Sequence, residues 1–368
     1  MDFSTSILIA ILVIVAATLF ILYELGGSTF SLGYLLNPPS GLTLGAIVLI
    51  SFILGLLHGA TPDEHTWPIT FSYAIGSYST KKGMKTGMVF SAGFTAQRAL
   101  LTTLGFLGLA AVYKQYNLDG PVYVLVGIAM AVAGIYILHK KIDLHLPIDM
   151  FLGSGTHHSE KAGMLHAHET TPRDVPIRMA AIHGLIAGFG FGAYATIITF
   201  VLAPAVPSLI YAPLPGIFFG LGTMAMQIIF GAVFANLVRL KHLSEGAMST
   251  IARKTSGRTL FYGGIAFSVI GLLIIGFPFI DGIAISTGNP IPNLDAVGVA
   301  TFLVLFVVGV IGIGSLVLGF REMSKKKQAD QAPCSTRLDL RHGSVPCWLV
   351  KYFNIAWINE VSWKSRTL

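Results

Sequence analysis

Charge is scarce in this chain: charged residues make up 11% of its 368 positions, while 54% are hydrophobic. Soluble domains carry roughly 25% charged residues. So little charge cannot cover a water-facing surface without large apolar patches, which excludes an ordinary soluble domain and points to a polytopic membrane protein. Cysteine is nearly absent too. Cys334 and Cys347 both lie in the C-terminal tail, so no apolar segment offers a thiolate for a membrane thiol relay or for copper(I). No nucleotide-binding loop and no zincin-type histidine–glutamate motif occur. Transport driven by the chain's own ATP hydrolysis is thereby excluded, and zincin hydrolysis loses its signature.

What the chain has in abundance is apolar sequence and glycine. The 41 glycines suit helices that approach closely within a bilayer. Runs of spanning length, about 20 residues, fall near 5–24, 41–60, 87–112, 121–138, 179–204, 214–238, 260–279 and 297–319. The predicted fold is all-α, with about eight transmembrane helices. The first run is too long for a signal-peptide core and has no basic residue before it, so it is expected to be a retained helix. Residues 66–80 are semi-apolar but too short to span, which suits a re-entrant or interfacial segment.

The net charge of +7 matters less than its placement, which reads as topology and not as a nucleic-acid surface. Alternate loops carry Lys81, Lys82 and Lys85, then Lys140, Lys141, Lys161, Arg173 and Arg178, then Arg239, Lys241, Arg253, Lys254 and Arg258. Segments 26–40, 205–212 and 280–296 carry no Lys or Arg, and 113–120 carries only Lys114. By the positive-inside rule both termini are cytoplasmic, which requires an even number of spans. The expected organisation is a first transmembrane half (1–138), a cytoplasmic histidine-rich loop (139–178), a second half (179–320) and a cytoplasmic tail (321–368), basic and then polar. The partners this implies are the lipid bilayer of a cell membrane and a small ion. A homo-oligomer or a partner subunit stays open.

Ionisable residues at membrane depth are costly and mark sites or pathways. "HGATPDEHTWP", His58 to Pro68, places His58, Asp63, Glu64 and His65 where an apolar run ends. On an unbroken helix His58 and His65 stand two turns, about 10 Å, apart and could not share an ion. Pro62 removes a helical hydrogen bond, and an unwound turn could gather His58, Asp63 and His65 around one cation. Imidazole with carboxylate suits nickel, cobalt, zinc or iron.

A fainter echo joins the two halves. "LLHGA" at 56–60 resembles "AIHGL" at 181–185, in spans of opposite direction, as an inverted repeat requires. His183 is then a candidate fourth ligand, or else a packed histidine. Arg98, in the middle of the third run, needs either Asp63 or Glu64 as a charge partner or helix carbonyls. In the 139–178 loop, His157, His158, His166 and His168 make two pairs suited to capturing divalent metal.

These stretches resemble the nickel/cobalt transporter superfamily, both its uptake permeases and its efflux proteins. The family's signature is a histidine, four residues, then aspartate–histidine; His58 and Asp63 keep the first spacing, and Glu64 stands where the second histidine falls. "GFGFGAYAT" (188–196) and "FSAGFTAQR" (90–98) resemble two further signatures, with Gly192 in place of aspartate and Phe94 in place of histidine. The resemblance spans most of 41–320. It implies a secondary transporter or permease of a divalent cation, nickel or cobalt first, with the ion as substrate and no resident cofactor. The histidine-rich loop is more like the efflux branch, and the aspartate of the first signature more like the uptake branch. Two rivals remain: a same-fold carrier of another small ion such as a sulfur oxyanion, favoured by Arg98, and an intramembrane metal-dependent hydrolase.

Overall fold

The structure is a computed structural model, and it describes residues 32–109, 118–139, 177–241 and 243–331. The expected span at 5–24 and the paired histidines of the 139–178 loop, His157, His158, His166 and His168, lie outside the described residues. Residues 1–320 form one compact unit and 321–368 a second.

The described residues are mostly helical. In chain order they give α1 (Leu32–Leu36), α2 (Leu44–Ala60), α3 (Trp67–Ser77), α4 (Thr80–Phe106) and α5 (Asp119–Leu138). These are followed by α6 (Ile177–Ala187), α7 (Ala193–Ile197), α8 (Leu214–Leu237) and α9 (Glu245–Gly276). A hairpin of β1 (Ala284–Ser286) and β2 (Ala296–Gly298) precedes α10 (Val299–Val304) and α11 (Gly314–Gln331). The α7 helix continues as a wider π-helical turn, Ile198–Leu202, and α10 runs on likewise through Leu305–Ile313. Among the described residues, four helical stretches are long and apolar enough to cross a membrane: Asp119–Leu138, Leu209–Lys241, Glu245–Gly276 and Val299–Lys325. The architecture fits an α-helical membrane protein.

Local chemistry sets the helix ends. The Thr43 hydroxyl accepts the Ala46 N–H at 3.3 Å and starts α2. At its far end Thr61 turns back, its N–H and its hydroxyl both donating to the Leu57 carbonyl at 2.9 and 3.0 Å. Pro62 follows and cannot continue the ladder. Pro68 sits in the first turn of α3, where a missing N–H costs nothing.

Small residues then set the packing, since lipid gives helices no hydrophobic reason to associate and close contact must supply the attraction. Gly83 of α4 lies against Gly231 of α8, where a side chain at either would run into the other's carbonyl. Moving along α4, Gly87 meets Gln227 and Arg98 meets Gly216, so α4 and α8 are antiparallel. The α5–α9 pair is antiparallel too: Gly120 lies against Gly271, Gly127 against Gly264, and Gly134 against Gly257. By the same reading α2 runs with α8, from Gly55 at Phe219 to Gly59 at Thr223, and α6 runs with α4, from Gly184 at Phe90 to Gly188 at Gln97. The buried core has one cluster about Phe90, Met130 and Phe267 and another about Ile50, Phe94 and Phe219.

Residues 67–77, within the semi-apolar stretch, form a helix of their own. From Pro68 to Ser77 every residue of α3 is buried, with Trp67 and Phe71 set edge-on against Phe234 of α8. Together α2 and α3 are two halves of a helix interrupted at 61–66. Likewise α6 and α7 are interrupted at 188–192.

Candidate functional site

The two interruptions meet. In the first, the Asp63 carbonyl accepts the N–H groups of Thr66 and Trp67 at 3.3 and 3.0 Å, turning the chain into α3. In the second, "GFGFG", the N–H groups of Phe189 and Gly190 bond back to Ile186 and Ala187 at 3.0 and 3.1 Å, and the helix stops. The His65 ring lies on Gly190, where a Cβ would come within 2.6 Å of the imidazole. Only glycine admits that contact.

Around this crossing the acidic linker closes on itself. Asp63, Glu64 and His65 each present one ligand atom, all within 4.8 Å of one another. His65 Nδ1 is 3.0 Å from Glu64 Oε1, which also accepts the Tyr123 hydroxyl of α5 at 3.1 Å. His58 Nε2 stands 4.0 Å from Asp63 Oδ2. Both of these atoms, and His65 Nε2, are buried with no hydrogen-bond partner. Buried polar atoms are nearly always partnered, so three orphaned donors or acceptors at one place mark a site built for something else.

Of the expected ligands, Asp63, Glu64 and His65 are brought together. Glu64, which displaces the signature histidine, belongs to the cluster with Asp63 and His65. His58 stands at its edge, in reach of Asp63 only. The reason is the length of the break: α2 stays helical through Ala60, so His58 remains on its last turn while 63–65 fold away.

His183 is not brought to the cluster. Its Nδ1 lies 2.7 Å from the Met179 carbonyl and 3.1 Å from the Tyr73 hydroxyl. It sits on α6 before the second break, its Nδ1 held by Met179 and by Tyr73 of α3, while its Nε2 is buried without a hydrogen-bond partner among the described residues.

For Arg98 the structure favours the carbonyl alternative. Its Nη2 donates to the Gly190 carbonyl at 2.7 Å. The guanidinium lies 4.8 Å from the Phe94 ring centre, 5.8 Å from Phe219 and 5.9 Å from Phe191. It is also near enough to His58 and Asp63 to act on their charges. Phe94 stacks on the His58 ring at 5.6 Å, and Phe219 lies 5.1 Å from it. The positions at which this chain departs from the resembled signatures thus fall at the site. Phe94 supplies a ring, and Gly192 opens α7 with space in which a Cβ would touch nothing.

Several residues at the site carry no sequence signal. Tyr123 lies in an apolar run with no motif about it. Asp119, at the start of α5, accepts the Phe191 N–H and lies within electrostatic reach of His65 and Glu64. From the loop after α9, Asp281 also feels Glu64, and partial desolvation together with that charge raises its carboxyl above the ordinary range. The same loop reaches Thr61 through Asn293. These acids were legible only as loop residues; their approach to 63–65 depends on how α5 and α9 pack.

No family model, no curated protein and no solved structure matches this chain.

Proposed function

We propose that this chain is a membrane transporter of a divalent transition-metal cation, nickel or cobalt first, taken up at the linker 61–66. The observation that carries the reading is the convergence of Asp63, Glu64 and His65 donor atoms within 4.8 Å beside two orphaned atoms, His58 Nε2 and Asp63 Oδ2. Two carboxylates and an imidazole form a borderline ligand set that suits nickel, cobalt, zinc or iron. A chain without cysteine there has nothing for copper(I). Asp63, Glu64 and His65 serve as ligands in this reading, and His58 completes the set after a small movement of α2. Tyr123 orients Glu64, as a second hydrogen bond to a metal ligand commonly does.

The surroundings support transport over catalysis. Interrupted helices that meet inside a bundle are a recurring way to place a small-ion site with free backbone groups near the bilayer midplane. The antiparallel course of α2–α3 and α6–α7 supports an inverted repeat. The register that sets His58 opposite His183 also sets His65 opposite Gly190, the very residue it touches. In this reading each interrupted helix makes one crossing, as do α4, α5, α8, α9 and α10–α11. With the apolar run at 5–24 they make eight, and both termini are cytoplasmic in an integral cell membrane.

Arg98 keeps a second reading alive, a carrier of a small oxyanion, because a buried cation at the site opposes a second one. Flux in reconstituted vesicles separates the two. Nickel or cobalt should move and sulfite should not, and alanine at Asp63 should abolish the movement. Sulfite flux without nickel flux, or nickel flux unchanged by alanine at both His58 and Asp63, rejects the metal reading.

A further inference from the structure

The connection between α9 and α10, residues 277–298, is far longer than the four to six residues typical of a compact domain. Long connections in compact domains are often functional, as lids or binding loops. This one is folded: β1 and β2 pair with Ala284 opposite Gly298 and Ser286 opposite Ala296. Thr287 closes the hairpin, its N–H donating to Asp295 and its hydroxyl to Leu294. Burial runs opposite to the usual order for a surface hairpin. Residues 281–290 are exposed, whereas Pro292 is buried and Ile291, Asn293 and Leu294 are half-buried. The tip has gone inward.

Its two central residues hold the two interrupted helices, one each. Asn293, in the left-handed conformation at φ 68°, donates from Nδ2 to the Thr61 hydroxyl at 3.2 Å. The Pro292 carbonyl accepts the Tyr194 hydroxyl at 3.3 Å. Thr61 is the residue that ends α2 three positions after His58, and the Tyr194 ring of α7 stands edge-on to the His58 imidazole at 5.9 Å. Both anchors therefore sit next to the proposed ion site, one on each interrupted helix. The segment 280–296 has no Lys or Arg, which assigns it to the face opposite the basic loops.

We propose that residues 277–298 are the outer gate of the site, with 291–294 as the plug, latched to the first interrupted helix by Asn293–Thr61 and to the second by Pro292–Tyr194. One tip bonded to both helices cannot lift without releasing both. Opening on that face is thereby tied to the position of the helix ends that flank the ligands. The inference rests on the transport reading for its purpose but not for its test.

The test uses the full chain in vesicles, with Cys334 and Cys347 changed to serine and one buried reporter cysteine, T66C or independently Q97C. The readout is the rate of modification by a membrane-impermeant thiol reagent added to one face at a time. With the native tip the rate from the hairpin face should be low. N293A with Y194F should raise it roughly ten-fold from that face alone, as expected when two hydrogen bonds of ordinary net strength are lost; P292G with N293G, which removes the Asn293 bond and loosens the backbone that presents the 292 carbonyl, should raise it in the same direction. An unchanged rate for both reporters, or an equal rise from both faces, overturns the gate. Nickel flux on the same vesicles keeps the two ideas apart. Faster labelling in a protein that never moves nickel leaves the gate and removes the metal reading, and nickel flux with unaltered labelling does the reverse.

Discussion

Arg98 donates from Nη2 to the carbonyl of Gly190 at 2.7 Å, and Gly190 is the residue on which the His65 ring rests. One buried cation thus fixes the second interruption at the point where it supports a ligand of the first. A carbonyl left without its helical donor by the break finds one in the guanidinium, and three aromatic faces take up the rest of the charge.

Removing that guanidinium should loosen the crossing. Hydrogen bonds to charged groups contribute about 1.5–3 kcal/mol, so R98A should lower the thermal unfolding midpoint of the detergent-purified protein by several degrees. R98K should recover only part of the loss, because an ammonium lacks the planar fork that spans carbonyl and rings. A midpoint equal to wild type in R98A contradicts this role.

Substituting Gly190 should harm the ligand while sparing the fold. In G190A the methyl comes within 2.6 Å of the imidazole, and His65 must turn aside. Disturbed support of a metal ligand typically costs 10–100-fold in affinity, so nickel binding should weaken about that much by titration calorimetry. The far-ultraviolet dichroism should stay unchanged.

The glycine contacts predict a contrast between two positions of the same residue type. G83V drives a branched side chain into the Gly231 carbonyl and should cost about 1–3 kcal/mol by overpacking, read as a lower yield of folded protein in the membrane. G45A meets nothing within 4 Å and should be neutral or slightly stabilising through helix propensity.

Asp281 predicts a pH effect of definite sign. Partial desolvation of its carboxyl and the charge of Glu64 raise it, so the folded state holds this proton more tightly than the unfolded chain does. Ionising it costs stability, and the cost grows as pH rises from the ordinary carboxylate range through the folded value. D281N should remove that part of the slope, leaving thermal stability less dependent on pH above the ordinary carboxylate range. An unchanged slope argues against the proximity of Asp281 and Glu64.

Much of this could be read from residues alone, and the rest could not for identifiable reasons. Composition and run length announced membrane helices, and Pro62 announced the break after His58. The glycine run at 188–192 was legible as a broken stretch. Its meeting with His65 was not, because the contact depends on how α6 packs on α4. Glu64 was legible as a candidate ligand and as a departure from the resembled signature, but its contacts with His65 and Tyr123 were not, since sequence spacing assumes a helical register that ends at Thr61. His183 was read from a five-residue echo that says nothing of Tyr73 or Met179, which contact its Nδ1. The role of 291–294 had no signature: an apolar dipeptide, Ile291–Pro292, in a loop looks the same whether it faces lipid, water or a buried site.

The most direct measurement is nickel binding to the purified protein at neutral pH, wild type against D63A, E64A and H65A. The account predicts one saturable ion per chain in wild type, weakened by at least ten-fold in each variant, with H58A weakened less because His58 stands at the cluster's edge. Binding that survives all three substitutions, or none in wild type, would contradict it.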